Sequence, residues 1–156
     1  MSESGSSERA RIVVGVDGSE CSKDALRWAA RQAGLTGATV TAITAWEFPA
    51  FYGWAPAYPG DVDFAGLAER ALNQATDEVF GPDRPAWLHT RVLARHPAQA
   101  LVEESKDADL LVVGSRGHAG FADALLGSVS TYCVHHAHCP VTVIRPGTSG
   151  AREDER

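Results

Sequence analysis

Five short apolar runs, separated by segments of helical period, set the limits on what this chain can fold into. RIVVGV (Arg11–Val16), ATVTAITA (Ala38–Ala45), WLHTRVL (Trp87–Leu93), DLLVV (Asp109–Val113) and PVTVI (Pro140–Ile144) have the length and β-branched content of strands. The first and fourth are almost continuously apolar, which suits strands covered on both faces. Between the runs, Ala25, Leu26, Ala29, Ala30 and Ala33 form a small-residue helical stripe. Phe64, Leu67, Ala68, Ala71, Leu72, Ala75 and Val79 recur at i, i+3, i+4 spacing. Pro97 opens a third helix with Ala98, Leu101 and Val102, and Ser128 is placed to cap a fourth running to about His136. The order βαβαβαβαβ predicts an α/β fold: a parallel sheet with right-handed crossovers and helices on both faces. Ligands of such sheets bind beyond the carboxyl ends of the strands, where the strand order reverses.

The stretch GSRGHAGFADALLGSVS (Gly114–Ser130) leaves the carboxyl end of the fourth strand. Glycine is costly in ordered structure unless its backbone freedom is used. Gly114 ends a buried strand and Gly117 turns the chain, so backbone N–H groups there can approach an anion without a Cβ in the way. Gly127 precedes Ser128 at a helix N-terminus, where free N–H groups and the helix dipole favour phosphate. Ser128 and Ser130 add hydroxyl donors, and Arg116 is the nearby cation. The pattern is a phosphate cradle in two parts, joined by HAGFADALL. It is not a G-x-x-x-x-G-K-[ST] loop, and no G-x-G-x-x-G follows the first strand. Phosphate oxygens beside one carboxylate, Asp17, suit a hard cation such as Mg2+.

Length and composition narrow the classes. With 156 residues, 44% of them hydrophobic, the chain is sized for one domain with a full core. No apolar run reaches membrane-spanning length, and MSESGSSERA lacks the apolar centre of a secretory signal, so a soluble cytoplasmic protein is expected, with no membrane partner. The net charge of −6 argues against a nucleic-acid partner, whose phosphates select clustered Lys and Arg. Cys21, Cys133 and Cys139 have no C-x-x-C spacing, so neither a disulfide framework nor a zinc ribbon is indicated. Residues 1–10 and 147–156, rich in Ser, Gly and charge, are expected as disordered tails around a domain spanning 11–146. The aromatic and proline-rich insert 46–61 is expected as an ordered loop beside the site.

Gly114, Gly117, Gly127 and Ser128 spell G-x-x-G, nine residues, then G-[ST]. With Asp17-Gly18-Ser19 after the first strand, ADLLVVGSRG (Ala108–Gly117) and HCPVTVIRP (His138–Pro146), the chain from Arg11 to Pro146 resembles the universal stress proteins in their ATP-binding branch. The resemblance implies a Rossmann-like, adenine nucleotide alpha hydrolase-like fold, a five-stranded parallel sheet in the order 3-2-1-4-5. It also implies that Asp17 lies near the ribose or phosphates and that Ala45 and Val113 flank the adenine. Gly114, Gly117, Gly127, Ser128, Val129 and Ser130 would hold the phosphates. ATP, or another adenine nucleotide, is the implied ligand, and a stress or dormancy response the implied role. The sequence departs from the family pattern at Arg95, where glycine is usual before Pro97, and in the length and aromatic content of the insert.

Two other readings of function stay open. One is a weak ATPase or autophosphorylating enzyme, with Ser128 or Ser130 as phosphoryl acceptor, although no lysine or glutamine is placed for efficient turnover. The other is a nucleotide-independent interaction protein using Phe51, Tyr52, Trp54 and Tyr58. His135, His136, His138 and Cys139 straddle a helix end and a strand start, so their side chains diverge and zinc is not expected. Asp61, Asp63, Glu103 and Glu104 have the spacing of solvated helix faces. In the order 3-2-1-4-5 the free edges are WLHTRVL, guarded by His89 and Arg91, and the uncharged strand 140–144. An unguarded edge of that kind predicts a homodimer through it, as the resemblance also implies.

Overall fold

In a computed structural model that describes residues 9–47, 63–117 and 126–146, all five apolar runs are strands and all four periodic segments are helices. In chain order these are β1 (Arg11–Gly15), α1 (Glu20–Thr36), β2 (Thr39–Trp46), α2 (Phe64–Phe80), β3 (Leu88–Ala94), α3 (Pro97–Ser105), β4 (Leu110–Gly114), α4 (Ser128–His136) and β5 (Val141–Ile144). Every strand pairing is parallel and the sheet order is β3-β2-β1-β4-β5, the order the resemblance implies.

Successive strand residues point to opposite faces, and each face has its own core. Ile12, Val14, Val40, Ala42 and Val112 pack against Ala25, Leu26, Ala29 and Ala33 of α1 and Leu72 and Ala75 of α2. On the other face Val13, Ile43, Leu111 and Val113 pack against Leu101 of α3 and Cys133 of α4. The alanine stripe of α1 is almost entirely buried. Small side chains let that helix sit close to the sheet. Burying each of Val13, Val14, Leu111 and Val112 contributes about 1.5–3 kcal/mol.

Helix ends follow the local chemistry. Ser19 caps α1 by accepting from the Ser22 N–H at 3.2 Å, and Gly37 ends it at φ 80°, in the left-handed region open to glycine. Asp63 accepts from the Gly66 N–H at 2.9 Å and caps α2. Pro97 occupies the first turn of α3, whose cap is His96.

Four expectations shift. The cap of α4 is Gly127, with Ser128 already inside the helix, so Ser128 does not cap it. Glu104 is not a solvated residue: its side chain is 16% exposed and sits between Arg11 at 3.1 Å and Arg91 at 2.6 Å. Asp63 has a capping role rather than a purely solvated one. Ala10, expected in the N-terminal tail, accepts a hydrogen bond from the Thr39 N–H at 2.8 Å. The rest of both tails, the insert beyond Glu47 and the segment 118–125 lie outside the described residues.

Candidate functional site

β1 and β4 are neighbours, but their connections leave in opposite directions, to β2 and to β5. That opens a crevice at their carboxyl ends. A cavity of about 370 Å³ occupies it, within the range of small-molecule sites. Asp17, Ala45, Val113, Gly114, Arg116, Gly117, Gly127, Ser128, Val129 and Ser130, all ten residues singled out from the sequence, line it.

One wall is the turn from β1 into α1. Gly18 takes φ 87°, a conformation that favours glycine, and so the DGS turn can close. Asp17 folds back over it, its Oδ1 accepting from the Ser19 N–H at 2.9 Å and the Ser19 hydroxyl at 2.5 Å. The Asp17 N–H in turn donates to Ser22 Oγ at 3.3 Å. The carboxylate is therefore held in one orientation at the mouth of the crevice.

The opposite wall is built from both halves of the glycine motif. The Gly127 N–H donates to the Ser115 carbonyl at 2.6 Å, which returns the chain to the start of the motif across the nine residues between Gly117 and Gly127. A Cβ on Gly127 would lie 3.4 Å from that same carbonyl oxygen, so glycine permits the closure. With Gly127 as cap, α4 begins without a side-chain acceptor. The first-turn N–H groups of Ser128, Val129 and Ser130 have no intrahelical acceptor either. Together with the helix dipole and the exposed Arg116, they make this the electropositive side of a crevice faced by Asp17.

The three motif glycines have a further reason that the sequence did not suggest. None has positive φ. A Cβ on Gly114 would stand 2.9 Å from Cys21 Sγ and 3.0 Å from the Cys21 carbonyl carbon, so that glycine admits α1 against the end of β4. On Gly117 it would stand 2.5 Å from Asp17 Oδ2. The glycines serve close approach of elements, and the approach shapes the crevice. Ser130 also departs from expectation. Its buried hydroxyl has one proton and is directed at the carbonyls of Gly127, 3.1 Å away, and Ser115, 3.3 Å away. It braces the motif and is not presented as a donor or phosphoryl acceptor.

The cavity floor was only partly foreseen. Val16, Ile43, Pro97 and Leu101 join Ala45 and Val113 to make it apolar. Leu101 is seated hard against β1, since a Cβ on Gly15 would come within 2.7 Å of its Cδ1. The signal for these residues was their position at strand ends and on the first turns of α3, which periodicity alone assigns to core. Ser22 was missed as well, although its place three residues after Ser19 marks it as part of the capping turn.

Other candidates separate from the crevice. A second cavity, of about 430 Å³, lies between α2 and β3 and is lined by Trp46, Glu69, Asn73, Thr90 and Arg91, none of them a predicted site residue. His135 and His136 lie on the last turn of α4, with the His136 ring 4.4 Å from that of Tyr132. Among the described residues no three His, Cys, Asp or Glu side chains converge as a metal set. Burial pushes the Cys133 thiol up to about 11, and burial followed by the charge of Asp109 raises that of Cys139. No described helix is long and apolar enough to cross a membrane.

Residues 8–145 match the model of the Universal stress protein family. A universal stress protein of Mycolicibacterium smegmatis is 36% identical over 152 residues, which cover 93% of this chain and 51% of that protein. The chain spans about half the length of the curated relatives it matches. Among solved structures, a universal stress protein in complex with cAMP is 30% identical with a TM-score of 0.59, covering 88% of this chain and 98% of that one. A universal stress protein of Archaeoglobus fulgidus in complex with dAMP is 25% identical with a TM-score of 0.60, covering 86% and 97%.

Proposed function

Because the chain belongs to the universal stress protein family, we propose that it binds an adenine nucleotide, ATP in the first instance, in the crevice between β1 and β4, and acts as a stress-response regulator through its bound state. The observation that carries this reading is the uncapped start of α4, facing Asp17 across a cavity with an apolar floor. Phosphate matches the three free N–H groups and Arg116. A flat heterocycle matches Ile43, Ala45, Leu101 and Val113, which offer apolar contact at strand ends. The complexes of two relatives with cAMP and dAMP support the same ligand class.

Mg2+ fits the donor set: Asp17 is the carboxylate at the cavity mouth, and Mg2+ commonly combines one or two carboxylates with substrate phosphates. When bound, it would neutralise phosphate charge. The chain's own residues position rather than react. Among the described residues lining the cavity there is no His, Lys or Gln to activate water. Efficient turnover is not expected, and slow hydrolysis or autophosphorylation at Ser128 is the runner-up activity. The protein is expected in the cytoplasm as a homodimer. β5 is an edge strand, and its bonds to β4 use the carbonyls of Pro140 and Ile144, so Val141 and Val143 turn their backbone groups to the free edge.

The test is chemical identification of the nucleotide released when the purified protein is denatured. An adenine nucleotide at near-stoichiometric amount supports the reading. A protein that carries none, and takes up none of ATP, ADP or cAMP at millimolar concentration, overturns it.

A further inference from the structure

The wall of the cavity formed by α3 is held by a titratable cap. His96 precedes α3, and its Nδ1 accepts from the Ala98 N–H at 3.1 Å. The same residue's carbonyl accepts from the Ala100 N–H at 2.9 Å, which starts the helix. A ring nitrogen can accept only while it is unprotonated. Protonation converts Nδ1 into a donor facing an N–H and places a positive charge at the positive end of the helix dipole. Both effects disfavour the first turn of α3. That turn bears Pro97, and the next bears Leu101, two residues of the cavity wall.

We propose that His96 is a positioning residue that makes nucleotide affinity pH-dependent, its neutral ring holding α3 in the binding-competent position and its protonation releasing it. The proposal rests on nucleotide binding in the β1–β4 crevice. His96 is exposed, and so open to solvent protons. Among the described residues, the charged groups that follow the strands at the same rim are Asp17 after β1, Glu47 after β2, Arg95 after β3 beside His96, Arg116 after β4 and Arg145 after β5, all exposed. α4 offers only Ser128, Val129, Ser130 and Thr131 there. His118 follows Gly117 in sequence and lies outside the described residues, while His135 and His136 are on the last turn of α4 and His138 follows it.

Direction separates this device from simple electrostatics. An imidazolium acting on phosphate as a charge would tighten binding on acidification, whereas an uncapped α3 weakens it. cAMP is the probe, because its phosphodiester keeps one charge between pH 7.5 and 5.5. One proton that blocked binding altogether would weaken affinity tenfold per pH unit, so a loss of at least threefold is expected between pH 7.5 and 5.5. In H96N, whose side chain caps without titrating, the loss should shrink below about 1.5-fold while affinity at pH 7.5 is kept. H96A should bind weakly at both pH values. A ligand-free readout stands beside these: protection of the Ala98 amide from hydrogen exchange should fall between pH 7.5 and 5.5 in the parent, and stay constant in H96N. Unchanged or tighter binding at pH 5.5, an equal slope in H96N, or an Ala98 amide whose protection is indifferent to pH each overturns the proposal. If none of cAMP, ATP and ADP binds at any pH while the Ala98 amide responds to pH as described, the nucleotide reading fails and the cap itself stands.

Discussion

Replacing Gly117 by alanine tests how the crevice is shaped. A Cβ there would lie 2.5 Å from Asp17 Oδ2, a separation that real Cβ atoms do not show. The backbone at Gly117 needs no left-handed conformation, so the cost is contact and not strain. Asp17 cannot yield freely, because its Oδ1 holds the Ser19 N–H and hydroxyl. Either the carboxylate rotates and gives up those charge-assisted bonds, or residues 116–117 retreat from the cavity. Bonds to charged groups contribute about 1.5–3 kcal/mol, and an exposed carboxylate stays at the low end. Gly117→Ala should therefore destabilise the protein by about 1–2 kcal/mol in urea titrations. It should also weaken ATP binding at least tenfold in calorimetry, equivalent to about 1.4 kcal/mol, and Gly117→Val should do at least as much. The cycle with Asp17→Ala isolates the cause. With the carboxylate gone, Gly117→Ala should cost less than about 0.5 kcal/mol of stability. Additive costs in the double variant would refute the contact with Asp17 as the reason for glycine.

Gly114→Ala should destabilise by about 2–3 kcal/mol, more than Gly117→Ala, because its Cβ meets the backbone of Cys21 as well as its sulfur. Urea unfolding measures it, and a variant as stable as the parent would contradict the packing argument. The Cys133 thiol, pushed up to about 11 from the ordinary 9.0 by burial, contributes stability that is whole below pH 9 and is lost as pH rises towards 11, since the unfolded chain releases the proton first. The decline in unfolding free energy between pH 8.5 and 11 should be about 2 kcal/mol shallower in Cys133→Ala, and parallel slopes would exclude the thiol. Val143→Pro removes an N–H on the free edge of β5 and none bonded to β4, so light scattering should show a dimer for the parent and a folded monomer for the variant. A parent chain that is monomeric at tens of micromolar would sink the dimer.

The architecture was legible because burial on two faces leaves a strong trace. β1 and β4 read as continuous apolar runs, and both are covered by helices. The spacing of Gly114, Gly117 and Gly127 likewise located the crevice. What spacing could not convey was which atoms required the glycines. Cys21 and Asp17, the residues that Gly114 and Gly117 admit, stand more than ninety positions away in the chain. Long-range contact, not local backbone preference, decided those positions. Glu104 escapes the sequence pattern for the same reason. Its partners Arg11 and Arg91 belong to two different strands, and helical periodicity carries no information about them. Residue preference points to Ser128 as the cap, whereas the bond from Gly127 to Ser115 places the cap one residue earlier.

An amide-resolved NMR titration with ATP addresses the site directly, since the ligand is proposed to be held by main-chain N–H groups. The largest shifts should fall on Gly117, Ser128, Val129 and Ser130, with smaller ones along Ile43, Ala45 and Val113. Saturating ATP that leaves the Ser128–Ser130 amides unmoved, or that shifts instead Asn73, Thr90 and Arg91 at the cavity between α2 and β3, would contradict it.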